Sequence, residues 1–162
     1  MLLDGVNHVA IITKDAHRLH AFYRDIFDAT VSREAEEAPE GPGVRLSFVD
    51  IGPMTQLNVF EIDDNHEAER QTPMFGRGRI DHLGLQAAST AAFDTIRQRL
   101  IDVGATDGFV TDFGPILSLF FTDPDGLEGE VCVPNPAGRS GAHNPPGTPA
   151  AGYARVEGQS RP

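Results

Sequence analysis

The chain has 162 residues, 13 of them basic and 24 acidic, for a formal net charge of −11. That length holds one domain with a real core or two small halves that share one, and the charge excludes partners gripped through Lys and Arg clusters, namely nucleic acid and anionic membrane surfaces. A single cysteine, Cys132, excludes an intramolecular disulfide, and the opening MLLDGVNHVAIITKD carries an acid at position 4 and no long apolar run, so the sequence predicts a cytoplasmic protein without signal peptide or membrane span.

In chain order, VNHVAII (6–12) alternates with a period of two and predicts a strand. After Asp15, residues Leu19, Phe22, Tyr23, Ile26 and Phe27 fall on one helical stripe. TVSRE (30–34) predicts a second strand, and EEAPEGPG (36–43) an exposed loop. VRLSFVDIGPMTQLNVFEI (44–62) predicts a hairpin, two apolar runs around a Gly-Pro turn. The charged, turn-rich segment 63–79 predicts a surface linker with one helical turn. IDHLGLQ (80–86) then returns to strand alternation. Ser89 or Thr90 suits an N-cap for a helix with Phe93, Ile96, Leu100 and Ile101 on one side. DGFVTDF (107–113) predicts a strand and ILSLFFTDPDGLEGEVCV (116–133) a hairpin. Residues 135–162 hold five Pro and five Gly, with only Tyr153 and Val156 as sizeable apolar groups, and predict a flexible tail. Three Arg and one Glu lie in that tail, which leaves residues 1–134 with ten basic and 23 acidic groups, net −13.

The order is a duplication. His8 and His82 are 74 apart, the helix ends FDA and VGA are 76 apart, Leu46-Ser47 matches Leu117-Ser118 at 71, and the last strands match at about 72. Each half is β-α-β-β-β, module one over about 5–62 and module two over about 80–134. Alternation puts Glu128, Glu130 and Cys132 on one face of the last strand, His82, Gly84 and Gln86 on one face of the strand at 81–86, and His8, Ala10 and Ile12 on one face of the first. With the apolar faces against the helices, these polar residues share the opposite, concave face. One histidine on a half-buried strand ordinarily just satisfies a hydrogen bond. Two at matched repeat positions with an acid on the same face are the components of a divalent metal site. Cys132 reads as a small buried hydrophobe, Glu128 as a solvated acid near the turn, and His17, His20, His66 and His143 as surface residues.

Over about residues 5–134 the paired modules, NHVAI opening the first, DHLGL opening the second, and DPDG followed by a glutamate resemble the vicinal oxygen chelate superfamily, which includes glyoxalase I, methylmalonyl-CoA epimerase, extradiol dioxygenases and bleomycin resistance proteins. The resemblance implies an α+β fold in which two βαβββ modules form a U-shaped half-barrel sheet around one groove, and a homodimer. It also implies one divalent metal, Fe, Mn, Ni, Co or Zn, held by His8, His82 and Glu130, with Asn58 at the first-module place of Glu130. Glyoxalase I has a carboxylate there, and the epimerases a neutral glutamine.

The function implied by the resemblance is that of a metalloenzyme acting on a small molecule that chelates the metal through adjacent oxygens, of isomerase, epimerase or lyase type. Glu130 and Glu128 are then the catalytic acids, and Gln56 and Gln86 contact the substrate. An extradiol-type iron dioxygenase is one alternative, but that group carries a His and a Tyr upstream of the ligand glutamate, and Phe120 stands here in the place of the Tyr. A non-catalytic, bleomycin-resistance-like drug-binding protein is the other, since an acidic surface suits a cationic ligand.

Overall fold

A computed structural model describes residues 2, 5–37, 43–66, 76, 80–141, 143–154 and 156, with the side chains of 33–37 left aside. Residues 38–42 of the loop expected at 36–43 and most of the linker expected at 63–79 fall outside them, whereas 36 and 37 belong to a strand. The chain divides into two compact units, residues 1–71 with 124–126, and residues 72–123 with 127–162.

The first unit contains β1 (His8–Thr13), α1 (Ala16–Phe27), β2 (Thr30–Glu37), β3 (Val44–Gly52) and β4 (Thr55–Ile62). Asp15 starts the helix because its carboxylate accepts the Arg18 N–H at 2.9 Å. Asp28 stops it in the left-handed region, φ 54°. Leu19, Tyr23 and Ile26 of α1 and Val49, Leu57 and Val59 of the sheet are each at most 2 % exposed. Burial of one such side chain contributes about 1.5–3 kcal/mol. The strands order β1-β4-β3-β2, with β1 parallel to β4 and the other pairs antiparallel.

The second unit repeats this with β5 (Leu83–Gln86), α2 (Thr90–Asp102), β6 (Val110–Asp112), β7 (Ile116–Thr122) and β8 (Glu128–Pro134). Ser89 caps α2 by accepting the Ala92 N–H at 3.1 Å. Gly104, at φ 71°, takes the left-handed turn that releases the chain, which explains the glycine in VGA. The strand order β5-β8-β7-β6 is that of the first sheet, again with one parallel pair, β5 with β8. Phe93 and Leu100 of α2 and Leu119, Phe121, Val131 and Val133 of the sheet form its core.

Register makes the duplication explicit. In the first unit Ala10 pairs with Asn58 and Asn58 with Phe48; in the second Gly84 pairs with Glu130 and Glu130 with Phe120. Asn58 is thus the counterpart of Glu130. The hairpins match at an offset of 72, not the 71 expected from Leu46-Ser47: Leu46 faces Phe60 where Ser118 faces Cys132. A slip of one residue reverses every side chain. Ser47 accordingly turns toward α1, where His20 Nε2 lies 2.7 Å from its hydroxyl, while Ser118 turns the other way. His20, read as a surface residue, is buried at 8 % exposure, because that hydroxyl satisfies its ring inside the core.

Residues expected to form a flexible tail make specific contacts with the second unit. The Ala150 N–H donates to the Val110 carbonyl at 2.8 Å on edge strand β6, the Tyr153 ring meets Phe93 edge-on at 5.9 Å, and the Arg97 guanidinium donates to the Ala154 carbonyl at 2.6 Å.

Candidate functional site

Strand β8 alternates buried and half-buried residues, with Gly129, Val131 and Val133 inward and Glu128, Glu130 and Cys132 on the open face. Gly129 is obligatory: a Cβ there would lie 2.2 Å from the Phe121 ring beneath it. This packing fixes the strand and sends Glu130 to the open face beside His82, the residue just before β5. His82 Nε2 and Glu130 Oε2 are 3.3 Å apart, with side chains 28 % and 13 % exposed. The other carboxylate oxygen accepts a short hydrogen bond from the Ser118 hydroxyl. The Cys132 thiol also bonds to Glu130; burial first, and the Glu130 charge second, push that thiol up to about 12. Cys132 is therefore a half-buried donor to Glu130, and not the inert apolar residue its neighbours suggested.

His82 is held on two sides. Its Nδ1 lies 2.9 Å from Asp81 Oδ2, and the Phe120 ring packs edge-on at 5.3 Å between centroids. A carboxylate only accepts, so Nδ1 carries the proton. With the proton on Nδ1 alone, the ring turns its Nε2 lone pair to Glu130 Oε2, and two electron-rich atoms at that spacing call for a cation: a second ring proton or a metal ion. The spacing suits a metal, because ligands each about 2.0–2.2 Å from a divalent ion stand roughly 3 Å apart at a right angle.

In the first unit His8 is exposed on β1, its Nδ1 2.8 Å from Asn7 Oδ1. It pairs with Gln56. Two residues on, Asn58 Oδ1 is buried without a hydrogen-bond partner among the described residues, which is costly for a polar atom unless something electropositive meets it. The expected substrate contacts are anchored at one end. Gln56 donates its amide N–H to Asp50 at 2.7 Å, and Gln86 donates to the carbonyls of Ala87 and Cys132, each at 3.1 Å. These bonds engage the amide nitrogen of each side chain. Glu128 sits half-buried at the start of β8, paired with Thr122. Of the residues expected at the site, His82 and Glu130 meet in the second unit, and His8, Gln56 and Asn58 lie along the β1–β4 pair of the first. Among the described residues no three His, Cys, Asp or Glu side chains are grouped closely enough to hold a metal by themselves. The sequence pattern alone does not single out Ser118, Asp81 or Asn7. The correct hairpin register would have found Ser118, whereas a residue adjacent to a histidine carries no periodic signal.

A family profile matches residues 5–131. The chain belongs to the Glyoxalase/Bleomycin resistance protein/Dioxygenase superfamily. Solved structures agree in fold. This superfamily member is similar to a glyoxylase/bleomycin resistance protein/dioxygenase domain from Frankia sp., with TM-score 0.67, 21 % identity, and 83 % of this chain and 94 % of that one covered. It is also similar to a mutant of the fosfomycin resistance protein FosX from Listeria monocytogenes, complexed with Mn(II) and 1S,2S-dihydroxypropylphosphonic acid, with TM-score 0.59, 19 % identity and coverages of 80 % and 92 %. TnmS3, an antibiotic binding protein from Streptomyces sp., gives TM-score 0.55, 20 % identity and coverages of 83 % and 99 %. A comparison with curated proteins finds no match. Among the described residues no helix is long and apolar enough to cross a membrane.

Proposed function

We propose that this superfamily member is a metal-dependent enzyme that acts on a small molecule with two adjacent oxygens, by isomerisation, epimerisation or lyase chemistry. The observation that carries the reading is the His82 Nε2–Glu130 Oε2 pair, 3.3 Å apart with the far side of the ring occupied by Asp81. His82 and Glu130 would hold the ion in the second unit, and the family resemblance implies His8 and Asn58 as further ligands. The bound metal, of the set Fe, Mn, Ni, Co and Zn, would supply Lewis acidity to the two substrate oxygens. The Mn(II) in the FosX complex is in keeping with that set. Glu130 is kept in one orientation by Ser118 and Cys132. Glu128, on the same face of β8, would accept or return a proton. Gln56 and Gln86, with their amide nitrogens already engaged, would offer their amide oxygens as acceptors for substrate hydroxyl or ammonium groups. Phe120 packs on His82 and offers no proton carrier, which weighs against oxygen-insertion chemistry of the extradiol kind.

Calorimetric titration of metal-free protein with Mn(II) tests this reading. One saturable site per chain is expected, weakened about 100-fold or more in His82→Ala and Glu130→Gln. Absence of saturable binding overturns it. A second reading, a non-catalytic binder of cationic small molecules, draws support from the carboxylate that Ser118 and Cys132 already satisfy and from the likeness to TnmS3. Retention of a cationic glycopeptide by metal-free protein, with no Mn(II) site, would put that reading first.

A further inference from the structure

The two histidines share a feature that the duplication alone does not require. Each is preceded by a residue whose side-chain oxygen meets Nδ1: Asn7 Oδ1 at 2.8 Å from His8, and Asp81 Oδ2 at 2.9 Å from His82. Adjacent residues on an extended chain point to opposite faces, so a contact between them turns the ring back along the backbone. The other nitrogen is then aimed away from the chain. For His82 that direction ends at Glu130 Oε2.

We infer that Asp81 and Asn7 are positioning residues that hold both imidazoles as Nδ1–H tautomers with Nε2 as the donor atom, and that they set unequal donor strengths, the carboxylate making His82 the stronger ligand and the amide leaving His8 the weaker. The inference rests on the metal reading above for its purpose, but the tautomer is a property of the protein without metal. A histidine whose far nitrogen donates to a carboxylate is more electron-rich at the near one. A neutral amide oxygen orients the ring without adding charge.

The experiment is long-range ¹⁵N–¹H correlation of the imidazole rings in the metal-free full chain, at a pH where both rings are neutral, paired with Mn(II) titration. Wild-type protein is expected to show Nδ1–H for His82 and His8. Asp81→Ala should shift His82 toward the Nε2–H tautomer and weaken Mn(II) binding by about 10–100-fold. Asp81→Asn, which keeps an acceptor oxygen, should restore the tautomer and part of the affinity. Asn7→Asp should tighten binding several-fold, an outcome that loss of folding cannot mimic. An Nε2–H ring at His82 in the wild type, or a tautomer and affinity unmoved by Asp81→Ala, overturns the inference. If the tautomers behave as expected and wild-type protein binds no Mn(II), the positioning role stands and the metal reading fails.

Discussion

Glu130 shows how little of a site resides in the residue that names it. Ser118 and Cys132 bond to its carboxylate, and one carboxylate oxygen faces His82. Ser118 is fully buried, so Ser118→Ala removes a hydrogen bond to a charged group that water cannot replace. A loss of about 1.5–3 kcal/mol in urea unfolding is expected; an unchanged midpoint would show that the hydroxyl does not restrain Glu130. On the opposite face of the same strand, Gly129→Ala forces a methyl into the Phe121 ring. The expected cost is about 1–3 kcal/mol, part of it recovered in Gly129→Ala/Phe121→Leu, where the ring is gone. At this scale repeat position singled out His8 and His82, and strand alternation put Glu130 on one face with Glu128 and Cys132. The sequence hid Ser118, because a serine among apolar residues reads the same whether it faces the helix or the carboxylate.

Elements were the most legible level, since helices and strands announce themselves by period and by caps. Asp15 and Ser89 each open a helix by accepting a backbone N–H three residues on. Replacing either by Ala should lower stability by about 1 kcal/mol, read from the shift in denaturant midpoint; no shift at Ser89 would mean that α2 is held by Phe93 and Leu100 alone. The register was harder. The match of Leu46-Ser47 with Leu117-Ser118 follows residue identity, whereas the hairpins align by their turns and make Leu46 the counterpart of Ser118. Identity of letters is a poor guide where a one-residue shift exchanges the core face for the open one. His20 went astray for a related reason: a histidine on a helical stripe looks polar until Ser47 is seen to meet it inside the core.

On the scale of the whole molecule, two sheets of identical strand order follow from the duplicated sequence, and the α+β class of the superfamily was legible in the residues themselves. The C-terminal segment was not, because its composition is that of a chain unable to form a core, while its attachments rest on single residues, Asn144, Ala150 and Tyr153, whose partners Asp112, Val110 and Asp94 lie far back in sequence. Burial first, then the hydrogen bond to Asp94, push the Tyr153 phenol up to about 12 from an ordinary 10. Below pH 10 the phenol is neutral in both states. Between about 10 and 12 the unfolded chain gives up its proton first, so stability is expected to fall through that window as pH rises. Tyr153→Phe should flatten that part of the stability curve, and an equal slope in both proteins would show that the tail does not hold the phenol. The central claim is that a divalent cation binds at the His82–Glu130 pair, and anomalous diffraction from crystals grown with Mn(II) tests it most directly. A peak about 2.0–2.3 Å from both His82 Nε2 and Glu130 Oε2 is predicted. A saturating Mn(II) peak on other residues, with that pair empty, would contradict it.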